Sequence, residues 1–134
     1  MRLYEQLIKH EGLRLKPYRD TVGKLTIGVG RNLDDVGISE DEALQMLRND
    51  ITSIRTMLVH TFPWFQKLNG ARRDVVANMV FNLGLGRFKR FRKLIAALIV
   101  HDYDRAAIEM MDSKWADQVG SRANELSYIM RRGK

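Results

Sequence analysis

Apolar positions along this chain recur at two different periods. Leu3, Leu7 and Ile8 fall at helical spacing and Gly12 offers a stop just after Glu11, so a short helix is predicted over residues 1–11. From Tyr18 to Gly30 the pattern shortens to β-prone runs divided by glycine. Val22-Gly23 suits a turn and L-T-I-G-V alternates at period two, which predicts a small hairpin. Ser39 followed by Glu42 forms a capping box, and the stripe Ala43, Leu44, Leu47, Ile51, Ile54, Leu58 predicts a long helix over about 40–59.

Helical spacing then persists to the end. Pro63 suits a first helical turn, Asn69 a cap, and Val75, Val76, Met79, Val80 and Leu83 a core helix closed by Gly84. Phe88, Phe91, Leu94, Ile95, Leu98 and Ile99 predict another helix, Asp102 a cap for the next, and Gly120-Ser121 the start of a last one around Leu126, Ile129 and Met130. Early strands with helices afterwards describe an α+β protein. A small N-terminal β-hairpin lobe at about 12–38 is expected, joined by the 40–59 helix to a mostly helical lobe of residues 1–11 and about 60–134. The 134 residues fit a single domain, and a cleft between the lobes is the expected site.

Composition narrows the chemistry. The absence of cysteine excludes a disulfide framework, a thiolate zinc site and a cysteine nucleophile, and His10, His60 and His101 are widely separated. Neither a metal nor an organic cofactor is expected. The net charge of +7 favours an anionic partner, through an attraction that salt weakens. Ten basic and nine acidic residues fall in the chain through Lys67, against thirteen and seven after it, so the excess lies in the second half.

Arg87, Lys89, Arg90, Arg92 and Lys93 interleave with Phe88 and Phe91. This basic 87–93 helix reads either as a contact for anionic membrane or lipopolysaccharide, or as a solvated face over a buried apolar stripe. No nucleic-acid motif is present and no nucleic-acid partner is expected. The start M-R-L-Y-E-Q lacks the pattern of an export signal, and the longest apolar run, Leu94 to Val100, is too short to span a bilayer. A soluble cytoplasmic protein is the expectation. Trp64 and Trp115 suit sugar stacking or a core.

Glu11 ends the first helix, Asp20 follows nine positions on, and Thr26 six beyond that. Glycoside hydrolysis needs one carboxyl kept protonated to donate to the leaving oxygen and another kept ionised. A partly buried Glu11 with a solvated Asp20 would meet that need. With sixteen acidic residues in the chain, the spacing alone also fits an ordinary helix-end charge.

The run H-E-G-L-R-L-K-P-Y-R-D-T-V-G-K-L-T-I-G-V-G, residues 10–30, resembles the catalytic segment of the T-even phage lysozymes, glycoside hydrolase family 24. The family pattern of glutamate, eight residues, aspartate, five residues, threonine is matched without a gap. R-R-D-V-V-A-N-M-V-F-N-L-G, residues 72–84, is similar to the family's central helix, and S-K-W-A-D-Q-V-G-S-R-A, residues 113–123, to its later Trp-and-Arg segment.

That resemblance implies a lysozyme-like fold with Glu11 as general acid, Asp20 as second carboxylate and Thr26 as a hydroxyl holding the attacking water. The implied reaction is inverting hydrolysis of the β-1,4 bond from N-acetylmuramic acid to N-acetylglucosamine in bacterial peptidoglycan. It also implies Phe81 as a substrate contact and Arg122 as an arginine approaching the acid; a core aromatic and a surface ion pair are the alternatives. A cation beside Glu11 would favour its ionised form, against the needs of a general acid.

Arg31 and Asn32 stand where the prototype has histidine and leucine, so the ion pair of that histidine does not carry over. Asn32 is a candidate sugar contact through its amide, or a turn residue. The biology implied is that of a monomeric phage endolysin, made in the host bacterial cytoplasm and reaching the wall after holin-type permeabilisation. A tail-associated lysozyme and a non-catalytic cationic module for membrane or nucleic acid are the alternatives.

Overall fold

A computed structural model describes residues 2–134; Met1, included in the predicted first helix, lies outside them. The chain divides into two compact units, one ending at Leu47 and the other beginning at Arg48.

The first unit opens with helix α1, Arg2–Glu11. Gly12 ends it at φ +78, its N–H bonded to Ile8 O at 2.8 Å, a conformation that glycine adopts without a Cβ penalty. Strands β1 (Arg14–Arg19), β2 (Leu25–Gly28) and β3 (Arg31–Asn32) follow as an antiparallel sheet in the order β1-β2-β3. Tyr18 pairs with Thr26, and Thr26 in turn with Asn32. Strand β1 begins before the expected Tyr18, with its register irregular between Arg14 and Tyr18. All its positions except Tyr18 are exposed, so it has no alternation for the sequence to display.

Helix α2, Glu40–Thr61, begins in this unit and continues into the next. Its capping box forms as expected: Ser39 Oγ accepts from Glu42 N at 3.1 Å and Glu42 Oε1 from Ser39 N at 2.9 Å.

In the second unit, α2 leads through a 3₁₀ turn (Phe65–Lys67) to α3 (Gly70–Leu83), α4 (Leu85–Phe88), α5 (Arg92–Ile99), α6 (Tyr103–Met111), α7 (Lys114–Val119) and α8 (Ser121–Arg132). Asn69 caps α3 and Asp102 caps α6, each accepting a backbone N–H three residues on. Leu58, Val75, Val76, Met79, Phe88, Leu94, Leu98, Met110 and Met130 are essentially sealed from solvent and form the centre of the core. Trp64 and Trp115 belong to the same cluster, so neither is a sugar platform.

The helix predicted from Phe88 to Ile99 is broken, and with it the basic 87–93 helix. Bonds from Arg90 N to Arg87 O and from Phe91 N to Phe88 O tighten the end of α4. Phe91, at ψ 63, then leaves the helical region before α5 begins. The two rings explain the break. Phe88 meets Phe62 at 5.9 Å, and Phe91 meets Trp115 at 6.4 Å. Packing both into one aromatic cluster outweighs the continuity of a four-residue helix that has little cooperativity to lose.

Among the described residues, no helix is long and apolar enough to cross a membrane.

Candidate active site

Glu11 occupies the last position of α1, and its side chain is exposed rather than partly buried as expected. What confines it is Gly30. A Cβ added to Gly30 would lie 2.8 Å from Glu11 Oε2 and 3.2 Å from its Cδ, and Gly30 has φ +67. Only glycine leaves room for the carboxylate there without backbone strain.

Asp20, half-buried, starts the turn between β1 and β2. Its Oδ1 accepts from Val22 N at 3.0 Å and from Lys24 N at 2.8 Å, so the carboxylate is oriented by its own turn. The turn closes through Asp20 N to Lys24 O at 2.9 Å, with Gly23 at φ +83. Two residues on, Thr26 is buried in β2 and its hydroxyl donates to the same Lys24 O at 2.9 Å. One peptide position, residue 24, thus fixes both the Asp20 carboxylate and the Thr26 hydroxyl. Because the single Thr26 proton is engaged, the free lone pair of Oγ1 is an acceptor.

Asn32 pairs with Thr26 across β2 and β3, but its side chain serves the following turn. Oδ1 accepts from Asp35 N at 2.9 Å and Nδ2 donates to Asp35 Oδ2 at 3.0 Å. Arg31 makes an ion pair of its own. Its Nη1 donates to Glu42 Oε1 at 2.7 Å and to Gly37 O at 3.2 Å, tying β3 to the start of α2. The Arg31 hydrogen bond, and then the Ser39 N–H, lower the Glu42 pKa from 4.5 to about 2, and the carboxylate raises that of Arg31.

In the second unit, Phe81 is 49% exposed on α3, so it is not the core aromatic of the alternative reading. Arg122, half-buried at the start of α8, is held by Asn78. Its Nε and Nη2 both donate to Asn78 Oδ1, at 3.0 and 2.7 Å. It makes this amide pairing instead of the surface ion pair considered as its alternative. One turn along α3, Asn82 Oδ1 accepts from Trp115 Nε1 at 2.9 Å, so Asn78 and Asn82 fix two side chains of the later segment from one helix face.

Three contributors went unrecognised in the sequence, Gly30, the Lys24 backbone and Asn78, and Glu42 was read as a capping-box residue but not as the partner of Arg31. The D-T-V-G-K turn carried a signal for Lys24, since aspartate commonly bonds the N–H groups that follow it. Asn78 lies 44 residues from Arg122 and gave none. Among the described residues, no cluster of His, Cys, Asp or Glu is placed to hold a metal. The arrangement in the first unit offers two carboxylates of different surroundings and an oriented acceptor hydroxyl, a set suited to acid–base work on a water molecule.

Residues 8–134 match the family model described as phage lysozyme. The chain is 32% identical to an endolysin of Acyrthosiphon pisum secondary endosymbiont phage 1, covering 92% of this chain and 84% of that protein. It is 27% identical to a probable T4-type lysozyme of Dictyostelium discoideum, covering 98% and 94%. It is also 28% identical to the pre-baseplate central spike protein of Enterobacteria phage T4, covering 99% of this chain but only 28% of that longer protein.

Proposed function

Since the chain belongs to the phage lysozyme family, we propose that it is a muramidase hydrolysing the β-1,4 bond between N-acetylmuramic acid and N-acetylglucosamine in bacterial peptidoglycan. Glu11 is the general acid and gives its proton to the glycosidic oxygen as the bond to the anomeric carbon breaks. A water donates one hydrogen to Thr26 Oγ1 and yields the other to Asp20, directing its lone pair at the opposite face of the sugar. The product inverts.

The observation carrying this reading is the residue-24 backbone. Its N–H donates to Asp20 at 2.8 Å and its carbonyl accepts from the Thr26 hydroxyl at 2.9 Å, so one residue orients both the base and the acceptor proposed for the water. In the second unit the proposed substrate contacts are Phe81, an exposed ring, and Arg122, a guanidinium oriented by Asn78. Asn32 is a weaker contact, its amide being engaged by Asp35.

The biological role is that of an endolysin, acting as one monomeric lysozyme-like domain. It is made in the host bacterial cytoplasm and released to the wall by holin-type permeabilisation. The match across 84% of a phage endolysin supports this. A tail-associated lysozyme is the second reading, favoured by the match to a phage spike protein. Mass spectrometry of purified virions separates the two, since a tail component is retained in the particle.

Clearing of purified Gram-negative peptidoglycan by the wild type and by Glu11→Gln tests the activity. The wild type is expected to release fragments with muramic-acid reducing ends, and the variant to lose about 10²-fold or more of the rate. If neither protein acts on pure wall and both permeabilise membranes, the chain is a cationic module instead.

A further inference from the structure

The second unit carries an exposed face of mixed chemistry that the proposed reaction does not use. Arg87, Lys89, Arg90, Arg92 and Lys93 are all exposed, and none of them has an ion-pair partner among the described residues. Two carboxylates, Glu109 and Asp112, share a groove with Arg90, Arg92 and Lys93. Glu109 is committed to Arg105 at 2.8 Å and is only 10% exposed.

The aromatic side chains of this run do not contribute to the surface. Phe88 is sealed in the core and Phe91 is half-buried against Trp115. The apolar element lies further along α5. Its outward positions are Arg92, Lys93 and Ala96, followed by Ile99 at 54% exposure and Val100, its C-cap, at 69%. His101, at φ 60, turns the chain away immediately afterwards, so the two branched aliphatics stand at a helix end.

From Lys93 to Val100 the helix rises about 10 Å. One face therefore presents cations at one end and bare hydrocarbon at the other, separated by about the depth of a lipid headgroup layer. A nucleic acid or an acidic peptide would use the cations and leave Ile99 and Val100 facing water. An anionic bilayer uses both, with the cations at the phosphates and the aliphatics at the acyl boundary.

We infer that the exposed face of α5, together with the α4–α5 turn, docks on the surface of an anionic phospholipid bilayer. Vesicles carry no glycan, so this surface is independent of the muramidase reading. The test is co-sedimentation of the full chain with vesicles of equimolar phosphatidylglycerol and phosphatidylcholine, with phosphatidylcholine alone and duplex DNA as controls. Binding is expected to the phosphatidylglycerol vesicles only, and to weaken with salt.

The double variant Arg92→Gln/Lys93→Gln should lower the partition coefficient by about 30-fold. The double variant Ile99→Ser/Val100→Ser should lower it by about tenfold. These side chains are exposed, so both variants should keep the wild-type melting temperature and wall-clearing rate. Loss in only one of the two variants, or in neither, overturns the inference. So does DNA binding that matches vesicle binding and is unaffected by the aliphatic substitutions, which would reveal a general polyanion surface.

Discussion

The carboxylate of Glu11 rests against the α-carbon of Gly30, so closely that a methyl group there would fall 2.8 Å from Oε2. The obstructed atom is the tip of a flexible side chain, so Glu11 would yield to a new side chain by rotating away. Function should therefore suffer more than folding.

Gly30→Ala is accordingly expected to cost about 1–2 kcal/mol of stability, from the left-handed backbone. Its wall-clearing rate should fall by about 10²-fold, from displacement of the acid. A thermal melt and a clearing assay on the same preparation check both. Full activity would mean that the Gly30 contact does not set the working position of Glu11.

Replacing the Thr26 hydroxyl separates its two roles. Thr26→Val leaves Lys24 O with only its bond from Asp20 N, at a cost of about 1 kcal/mol, and removes the acceptor for water. Activity is expected to collapse in Thr26→Val and to survive largely in Thr26→Ser, which keeps the oxygen. Equal activity in both variants would exclude the hydroxyl from the reaction.

Arg122 reaches Asn78 through two nitrogens that share one oxygen, a geometry lysine cannot reproduce. Arg122→Lys is expected to lower kcat/KM by about tenfold or more and to change the pH profile. Asn78→Leu should act in the same direction. Full activity with an unchanged profile in Arg122→Lys would dismiss a role for the guanidinium.

The Arg31–Glu42 pair predicts the acid limb of stability. The folded-state Glu42 pKa of about 2 lies below its ordinary 4.5, so the contribution of the pair is complete above pH 4.5 and disappears as pH falls through about 2. The stability difference between wild type and Glu42→Gln should follow that course in denaturant titrations. Arg31→His would add a second limb. A histidine raised by its partner stabilises fully below its unfolded pKa, and that contribution is lost as pH rises through the higher folded value.

The parts of this fold that the sequence displays are those with local causes. Ser39 and Glu42, Asn69, Asp102 and Gly84 each act within four residues, and each capped or stopped a helix where expected. The local placement of Asp20 and Thr26, two of the three residues proposed for the reaction, has a related cause, since the Asp20 turn and the Thr26 bond are closed within the same short hairpin. The break after Phe88 was not legible, because it follows from where two rings find aromatic partners. Nor was the exposure of Glu11: burial depends on what packs over a residue, and α1 buries none of its own side chains.

Residue 24 contributes its backbone N–H to Asp20 and its carbonyl to Thr26, while its ammonium pairs separately with an exposed carboxylate of Asp35 at 3.1 Å. Any residue with an N–H could keep those two bonds, and proline could not. Selection at this position should therefore act on main-chain shape alone. Related enzymes would be free to vary the amino acid there, and a search for invariant letters would pass over the point on which the proposed water site turns.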